Sequence, residues 1–198
     1  MKQLTVLLFL CMMVTSALAA KSDETLISGE VEHGGFGGPV VKLTEINGRT
    51  GILVGGRGGW IINHTFVLGG GGYGLASDIK AKEIGLGTIL YLDMGYGGLE
   101  LEYVVNSPKL IHLSFHTLIG AGSIGYRERD DHFEWDDDSD DIFFVAEPGA
   151  NLMLNVTEFF RIGLGFSYRF INGVDLEGLS DSGLDGVSTN LTLKFGKF

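Results

Sequence analysis

The 198-residue chain is short of cysteine, proline and basic side chains. It has 1 cysteine, 3 prolines and 14 Lys and Arg against 25 Asp and Glu, which gives a formal net charge of −11. Cys11 lies in an N-terminal apolar run, so the remainder of the chain can form neither a disulfide nor a cysteine metal site. The acidic balance excludes nucleic-acid binding through bulk electrostatics. After the N-terminal run no 18 consecutive residues are apolar, which excludes a membrane-spanning helix.

The N-terminal run has the organisation of a secretory signal peptide. Lys2 is followed by an apolar stretch at residues 4–14 and by the small-residue sequence Ala17-Leu18-Ala19. We expect cleavage after Ala19, which predicts a signal peptide at 1–19, an N-terminal periplasmic segment at 20–35 and a β-barrel at 36–198.

Glycine is abundant and alternates with apolar residues, which distinguishes this chain from disordered glycine-rich sequences. The chain holds 32 glycines, and 44% of its residues are hydrophobic. No segment after the signal shows a helical period of 3.6 residues. This composition favours a closed sheet whose narrow interior requires small side chains.

Alternation with a period of two residues is the dominant pattern. It is clearest between Phe160 and Phe170, where every second residue is apolar or aromatic and the intervening ones are Arg161, Gly163, Gly165, Ser167 and Arg169. Similar patterns predict eight strands, at residues 36–46, 50–62, 65–76, 88–105, 111–122, 142–155, 159–171 and 186–198. Within 88–105 the apolar face changes phase at Gly97-Gly98, which predicts a β-bulge.

Short and long connections alternate along most of the chain. Asn47-Gly48 predicts a tight hairpin, and the turns near residues 63, 106 and 155 are also short. Longer connections are expected at 77–87, 128–141 and 172–185. Outer-membrane barrels place short turns in the periplasm and long loops outside, so only the short first connection departs from that arrangement.

These features resemble the small outer-membrane β-barrel family of Gram-negative bacteria, of the size of the OmpA transmembrane domain and OmpX. The resemblance rests on the signal, the Phe160 to Phe170 alternation, the glycine-rich strands and the C-terminal Phe198. It implies an all-β fold, a closed antiparallel up-and-down barrel of about eight strands in the cell outer membrane. The implied partners are outer-membrane lipids, lipopolysaccharide and, during insertion, the barrel-assembly machinery. Phe198 is out of phase with Phe195, so either the strand bulges or Phe198 does not face lipid.

The polar faces of the predicted strands place charged residues inside the barrel. Five are basic and four are acidic: Lys42, Arg57, Arg161, Arg169 and Lys194 against Asp93, Glu100, Glu102 and Glu147. Because buried charges need partners, we expect an ion-pair network that fills the lumen. An eight-stranded barrel is only wide enough for its own side chains, so a general diffusion pore is not expected.

Two adjacent strands carry residues from which a hydrolase could be built. Pairing of 88–105 with 111–122 brings Glu100 and Glu102 close to His112, Ser114 and His116, a combination that could form a Ser–His–Glu site. The turn that joins the two strands is predicted to be periplasmic, and no oxyanion motif is visible. We therefore assign no catalytic residue, no cofactor-binding residue and no metal ligand, and we predict no cofactor.

Residues 130–141 are strongly acidic. Asp136, Asp138 and Asp140 have the first spacings of a calcium loop, but position 6 is Asp141 rather than glycine, so this is not an EF-hand. A solvated loop is expected, with divalent cations as a possible partner.

Three functional hypotheses remain open. The first is a non-catalytic outer-membrane barrel with a polar filled lumen and a structural or surface-interaction role through its acidic outer loops. The second is a soluble exported small-ligand binder similar to lipocalins, and the third is an outer-membrane lipid hydrolase.

Overall fold

A computed structural model describes residues 30–84, 88–127, 141–176 and 178–198. Two compact units are distinguished, Met1–Val31 and Glu32–Phe198, and every described strand lies in the second. The predicted signal peptide at 1–19, most of the segment at 20–35 and nearly all of the acidic stretch at 130–141 lie outside the described residues. No helix in the described part of the chain is long and apolar enough to cross a membrane.

Nine described strands form one antiparallel sheet. They are β1 (His33–Ile46), β2 (Arg49–Ile62), β3 (Phe66–Leu75), β4 (Lys80–Ile84), β5 (Thr88–Val105), β6 (Ile111–Arg127), β7 (Asp141–Asn155), β8 (Phe160–Asn172) and β9 (Gly186–Lys197); a short helix α1 (Asp181–Leu184) precedes β9. Strand order is β3-β2-β1-β9-β8-β7-β6-β5-β4, and β3 also pairs with β5. The sheet is therefore closed.

The closed sheet has eight strand positions because β3 and β4 share one of them. β3 pairs with residues 95–103 of β5, whereas β4 pairs with residues 88–91 of the same strand. The predicted closed eight-stranded antiparallel barrel is thus confirmed. Five of the eleven residues in the connection expected at 77–87 form β4 instead of a loop, and β4 extends the β3 position and lengthens the hairpin.

The large apolar side chains point away from the barrel interior. On β8, Leu164, Phe166, Tyr168 and Phe170 are exposed, whereas Ser167 and Arg169 are buried. Phe160 to Phe170 spans about 33 Å along the strand at a rise of about 3.3 Å per residue. A tilt of about 40° reduces this to about 25 Å along the barrel axis, the height of the apolar band of outer-membrane barrels. A soluble lipocalin-like barrel would need these rings inside, so this geometry contradicts that hypothesis.

The two ends of the barrel differ. Gly35 pairs with Lys197, so the first strand begins and the last strand ends at the same end of the barrel, which we call the terminal end. The opposite end, here the loop end, carries the Asn47-Gly48 turn. Asn47 and Gly48 have φ values of 50° and 71°, as the two central residues of a type I′ hairpin require.

The short first connection is explained by the described residues 173–176 and 178–185, which fold over the loop end. Asn47 N–H donates to Gly183 O at 2.6 Å, and Leu184 is fully buried in the apolar cluster that fills this end of the lumen. The cluster includes Ile46, Leu53 and Ile79. One long connection therefore covers the mouth, and the first turn can remain tight.

The predicted bulge at Gly97-Gly98 is wrong. The register between β5 and β6 is continuous from Tyr91 opposite Arg127 to Val105 opposite Leu113. From Leu92 to Val104 the even-numbered residues of β5 face inward, and this face changes from apolar residues near the loop end to the carboxylates of Glu100 and Glu102 in the middle. The apolar residues of β5 therefore change from the inward to the outward face because the polarity of the lumen changes along the barrel. The backbone of the strand stays regular.

Phe198 does not face lipid. Its ring stacks on Phe36, with centroids 6.3 Å apart, and packs against the apolar cluster of Phe36, Ile61, Val67 and Val104 inside the terminal end. The β1–β9 register is unshifted from Phe195 through Gly196 to Lys197, so no bulge lies there. The lumen therefore has three layers: an apolar layer at the loop end, a charged layer in the middle and an aromatic layer at the terminal end.

Candidate functional site

The middle layer of the lumen contains two groups of buried ion pairs. In the first, Lys42 on β1 donates to both carboxylate oxygens of Glu147 on β7, each at 2.8 Å. Tyr96 Oη and Ser167 Oγ donate to the same carboxylate at 2.6 and 2.5 Å. The ammonium group of Lys42 also lies 3.4 Å from the centroid of the Tyr73 ring. Each charge is thus held by several strands at once.

The second group lies nearer the terminal end. Arg57 on β2 pairs with Glu100 and, at 2.8 Å, with Glu102 on β5. Lys194 on β9 pairs with Glu102 at 2.6 Å. Since β2, β5 and β9 lie at separate positions around the barrel, these contacts cross the lumen and leave it filled.

Arg161 and Arg169 form no ion pair with a carboxylate among the described residues. Arg169 is fully buried and donates from Nε and Nη2 to Leu184 O at 2.9 and 2.8 Å, which holds the covering segment over the loop end. Arg161 is half-buried and donates to Ser107 Oγ at 3.0 Å. Among the described residues, no carboxylate lies within the 4.0 Å salt-bridge distance of either guanidinium. Among the described residues of the lumen, basic side chains therefore outnumber acidic ones.

Asp93 is the one predicted lumen charge that the structure places outside. It is exposed, while its neighbours Leu92 and Met94 are buried inside. The wrong assignment follows from the supposed bulge, which would have turned the apolar residues toward lipid. Without Asp93, the described lumen residues comprise five basic and three acidic side chains, within the lumen or at its edge.

Tyr73 and Tyr96 take part in the network, although the sequence analysis did not identify them. Both rings are buried, at 6% and 5% exposure. Continuous alternation from Leu92 to Val104 would have placed Tyr96 on the same face as Glu100 and Glu102. Tyr73 lies among the glycines of β3, where alternation carries little information.

Glycines provide the space for the network. A Cβ atom on Gly71 would lie 3.2 Å from Tyr73 Oη and 3.3 Å from Glu100 Oε2. On the outward face, a Cβ on Gly72 would meet nothing nearer than a backbone oxygen at 3.8 Å.

We expect Gly71→Val to destabilise the folded barrel by about 1–3 kcal/mol, because the added methyl groups crowd the Glu100 carboxylate. Gly72→Val, one residue away on the lipid face, should be neutral or slightly stabilising since β-branched residues favour strands. Urea unfolding of both variants in lipid vesicles measures the difference. An equal change in the free energy of unfolding at the two positions would contradict the need for a small residue at position 71.

The residues of the hydrolase hypothesis lie near one another, but they are not arranged as a triad. His116 Nδ1 contacts the Asn151 side-chain amide at 3.1 Å, and His112 Nδ1 donates to Lys109 O at 3.1 Å. No hydrogen bond joins Ser114 Oγ to either histidine in the described ranges. Ser114 is fully buried, so a lipid ester has no access to it.

No group of three or more His, Cys, Asp or Glu side chains in the described part of the chain could hold a metal ion. The predicted acidic stretch contributes only Asp141 to the described residues. Glu147, which has the sequence spacing of a twelfth calcium-loop ligand, is instead buried beside Lys42 in the lumen.

Comparisons with known proteins identify the fold. No protein-family model and no curated protein matches the chain. Among solved structures, Neisserial surface protein A (NspA) is similar with a TM-score of 0.54 and 12% identity, over 86% of this chain and 100% of that one. The attachment invasion locus protein Ail of Yersinia pestis has a TM-score of 0.47 and 13% identity, over 85% of this chain and 99% of Ail.

The similarity to NspA, together with the apolar outer band of this chain, defines the class. The fold is that of the small eight-stranded outer-membrane β-barrels of Gram-negative bacteria. A barrel with leucine and phenylalanine rings around its outside requires lipid as its surroundings. The chain is therefore an outer-membrane protein.

Proposed function

We propose that this protein is a non-catalytic, non-conducting barrel that acts at the outer surface of the cell. The observation that supports this most is the filling of the lumen by three successive layers of side chains. An ion pair that crosses an eight-stranded barrel occupies the space a solute would need. The function is then carried by what the barrel displays outside.

The strongly acidic stretch at 130–141 belongs to the connection between β6 and β7, which end and begin at the loop end, and Asp141 is its described part. Because the long connections of outer-membrane barrels lie outside the cell, a connection at this end would meet lipopolysaccharide and its divalent cations. We propose a structural or surface-interaction role through these carboxylates. NspA, a structurally similar protein, is named as a surface protein.

Single-channel recording in planar bilayers tests the absence of conduction. We expect no stepwise current from the folded full-length mature chain, and we expect none from Arg169→Ala. That substitution loosens the segment over the loop end but leaves the Lys42–Glu147 and Arg57–Glu102 pairs in place. Regular current steps from the unmodified protein would contradict a filled lumen and would favour a transport role.

Surface binding of a cationic probe tests the role of the acidic stretch. Cells displaying the protein should bind fluorescent polylysine more strongly than cells displaying a variant with Asp136, Asp138 and Asp140 replaced by Asn. The control is Glu158→Gln, which removes an exposed carboxylate at a turn of the terminal end. This substitution should leave polylysine binding unchanged. Equal binding by all three would contradict the surface-interaction role.

A further inference from the structure

The described part of the segment at 173–185 forms a strap over the loop end. Val174 N–H donates to Asp181 Oδ1 at 2.8 Å and Asp185 N–H donates to Asp181 O at 2.9 Å, so the two halves of the strap are bonded to each other. Gly173, which joins the strap to β8, has a φ value of 107°, a conformation that glycine adopts without strain. The strap can therefore move as one unit.

Leu184 joins the strap to the barrel by two contacts. Its side chain is fully buried in the apolar cluster of the loop end, which includes Ile46, Leu53 and Ile171. Its carbonyl oxygen accepts from Nε and Nη2 of Arg169, at 2.9 and 2.8 Å. The barrel thus offers a site for one leucine residue, with an apolar cup for the side chain and a donor for the backbone carbonyl.

Arg169 has a further donor at this site that the strap does not use. The residue is fully buried, and its Nη1 atom has no hydrogen-bond partner among the described residues. An unpaired buried donor is unfavourable. A peptide carries one carbonyl group per residue, so an incoming chain could satisfy Nη1 in addition to the donors that Leu184 uses.

The loop end around the cup is acidic. Asp141, Asp175, Asp181 and Asp185 lie in the strap or beside it, and Glu45 precedes the first turn. In the sequence, the stretch at 130–141 adds further carboxylates and no Lys or Arg, while Lys82 and Arg129 are matched by Glu83 and Glu128.

Fewer basic side chains are described at the rim of this end. They are Arg49, Lys80 and Arg127, and Arg127 is neutralised by Asp78 at 2.6 Å. The buried Arg169 adds one positive charge beneath the strap. Carboxylates remain in excess when all of these are counted, so the charge around the cup favours a basic chain over the acidic strap.

We propose that the loop end docks a basic peptide segment, in which one leucine residue replaces Leu184 in the cup and the flanking basic side chains lie on the surrounding carboxylates. The proposal rests on the surface-interaction role proposed above and adds the kind of partner and an internal competitor. Exchange of one leucine for another leaves the buried apolar surface unchanged, and the attraction between charges favours the incoming chain. The closed strap lowers the apparent affinity, because the partner binds only those molecules in which the cup is free.

The test uses the folded mature chain in a non-ionic maltoside detergent and two amidated pentapeptides, Lys-Lys-Leu-Lys-Lys and Lys-Lys-Ser-Lys-Lys. Leu184→Ser removes the internal competitor and should raise the affinity for the leucine peptide at least about tenfold, the change expected for burial of one leucine side chain. The affinity for the serine peptide should not change. Leu176→Ser, which removes a leucine of the strap outside the apolar cluster, is the matched control and should alter neither affinity. Titration calorimetry gives the affinities.

A second variant reports directly on displacement of the strap and answers the question if Leu184→Ser does not fold. Leu184→Cys keeps a small apolar side chain in the cup, and the chain without residues 1–19 contains no other cysteine. The leucine peptide should accelerate maleimide labelling of this thiol at least about tenfold, and the serine peptide should not. Equal affinities of the two peptides for Leu184→Ser, or an unchanged labelling rate, would overturn this proposal and leave the surface-interaction role standing. Failure of both peptides to bind would overturn both.

Discussion

Glu102→Gln should remove about 3–5 kcal/mol from the free energy of unfolding, the range for breaking one side of a buried ion pair. Glu102 is 3% exposed and accepts from both Arg57 and Lys194. Arg57 retains Glu100 after the substitution, but Lys194 has no other carboxylate within 4.0 Å among the described residues. An amide can accept from one of the two cations, and its own N–H groups would face the other. The buried ammonium group of Lys194 therefore dominates the loss.

A double-mutant cycle separates this electrostatic effect from general disturbance of the lumen. Lys194→Met removes the ammonium group that Glu102→Gln leaves without a partner. The double variant should therefore lose about 1–3 kcal/mol less unfolding free energy than the sum of the two single variants. Glu45→Gln, an exposed carboxylate on β1, is the matched surface control and should change stability by less than about 0.5 kcal/mol. Urea unfolding in vesicles, followed by tryptophan fluorescence, gives all four values. A loss for Glu102→Gln no larger than that for Glu45→Gln would contradict the network as a stabilising element.

The sequence predicted the barrel well wherever alternation was unbroken and the two faces differed in chemistry. On β8 and β9 the large apolar residues alternate with Arg, Ser, Asn and Lys, and both faces were assigned correctly. The pairing of strands followed from short turns, which require neighbours in sequence to be neighbours in the sheet. These are local properties, and a single sequence contains them.

The lumen was predicted less completely because its polarity changes along the barrel axis. Leu92, Met94 and Tyr96 face inward beside Ile124 and Phe143, so hydrophobicity alone reverses the face on that half of β5. Asp93 was placed inside for the same reason. The inward position of Phe198 and the covering role of residues 173–185 depend on contacts distant in sequence, which alternation does not encode. The charged residues were identified, but their partners required the closed barrel.

A charge in the middle of the outward band should be far more damaging than one at its edge. Leu164 and Leu110 are similarly exposed, at 59% and 66%. Leu164 lies near the middle of the Phe160 to Phe170 band, whereas Leu110 lies in the turn before β6 at the terminal end. If lipid surrounds the band, Leu164→Arg should destabilise the barrel by about 2–4 kcal/mol, and Leu110→Arg by about 0–1 kcal/mol.

This comparison isolates depth in the membrane, because residue type, substitution and exposure are matched. In water an exposed leucine can be replaced by arginine at little cost wherever it lies on the surface. Any large difference between the two sites must then come from the surroundings of the barrel and not from its interior. Unfolding in vesicles of a saturated short-chain lipid provides the measurement, and folding in a maltoside micelle, which surrounds the band less uniformly, should reduce the difference. Equal losses of unfolding free energy for the two arginine variants in vesicles would mean that residues 160–170 do not face hydrocarbon. That result would contradict the outer-membrane assignment.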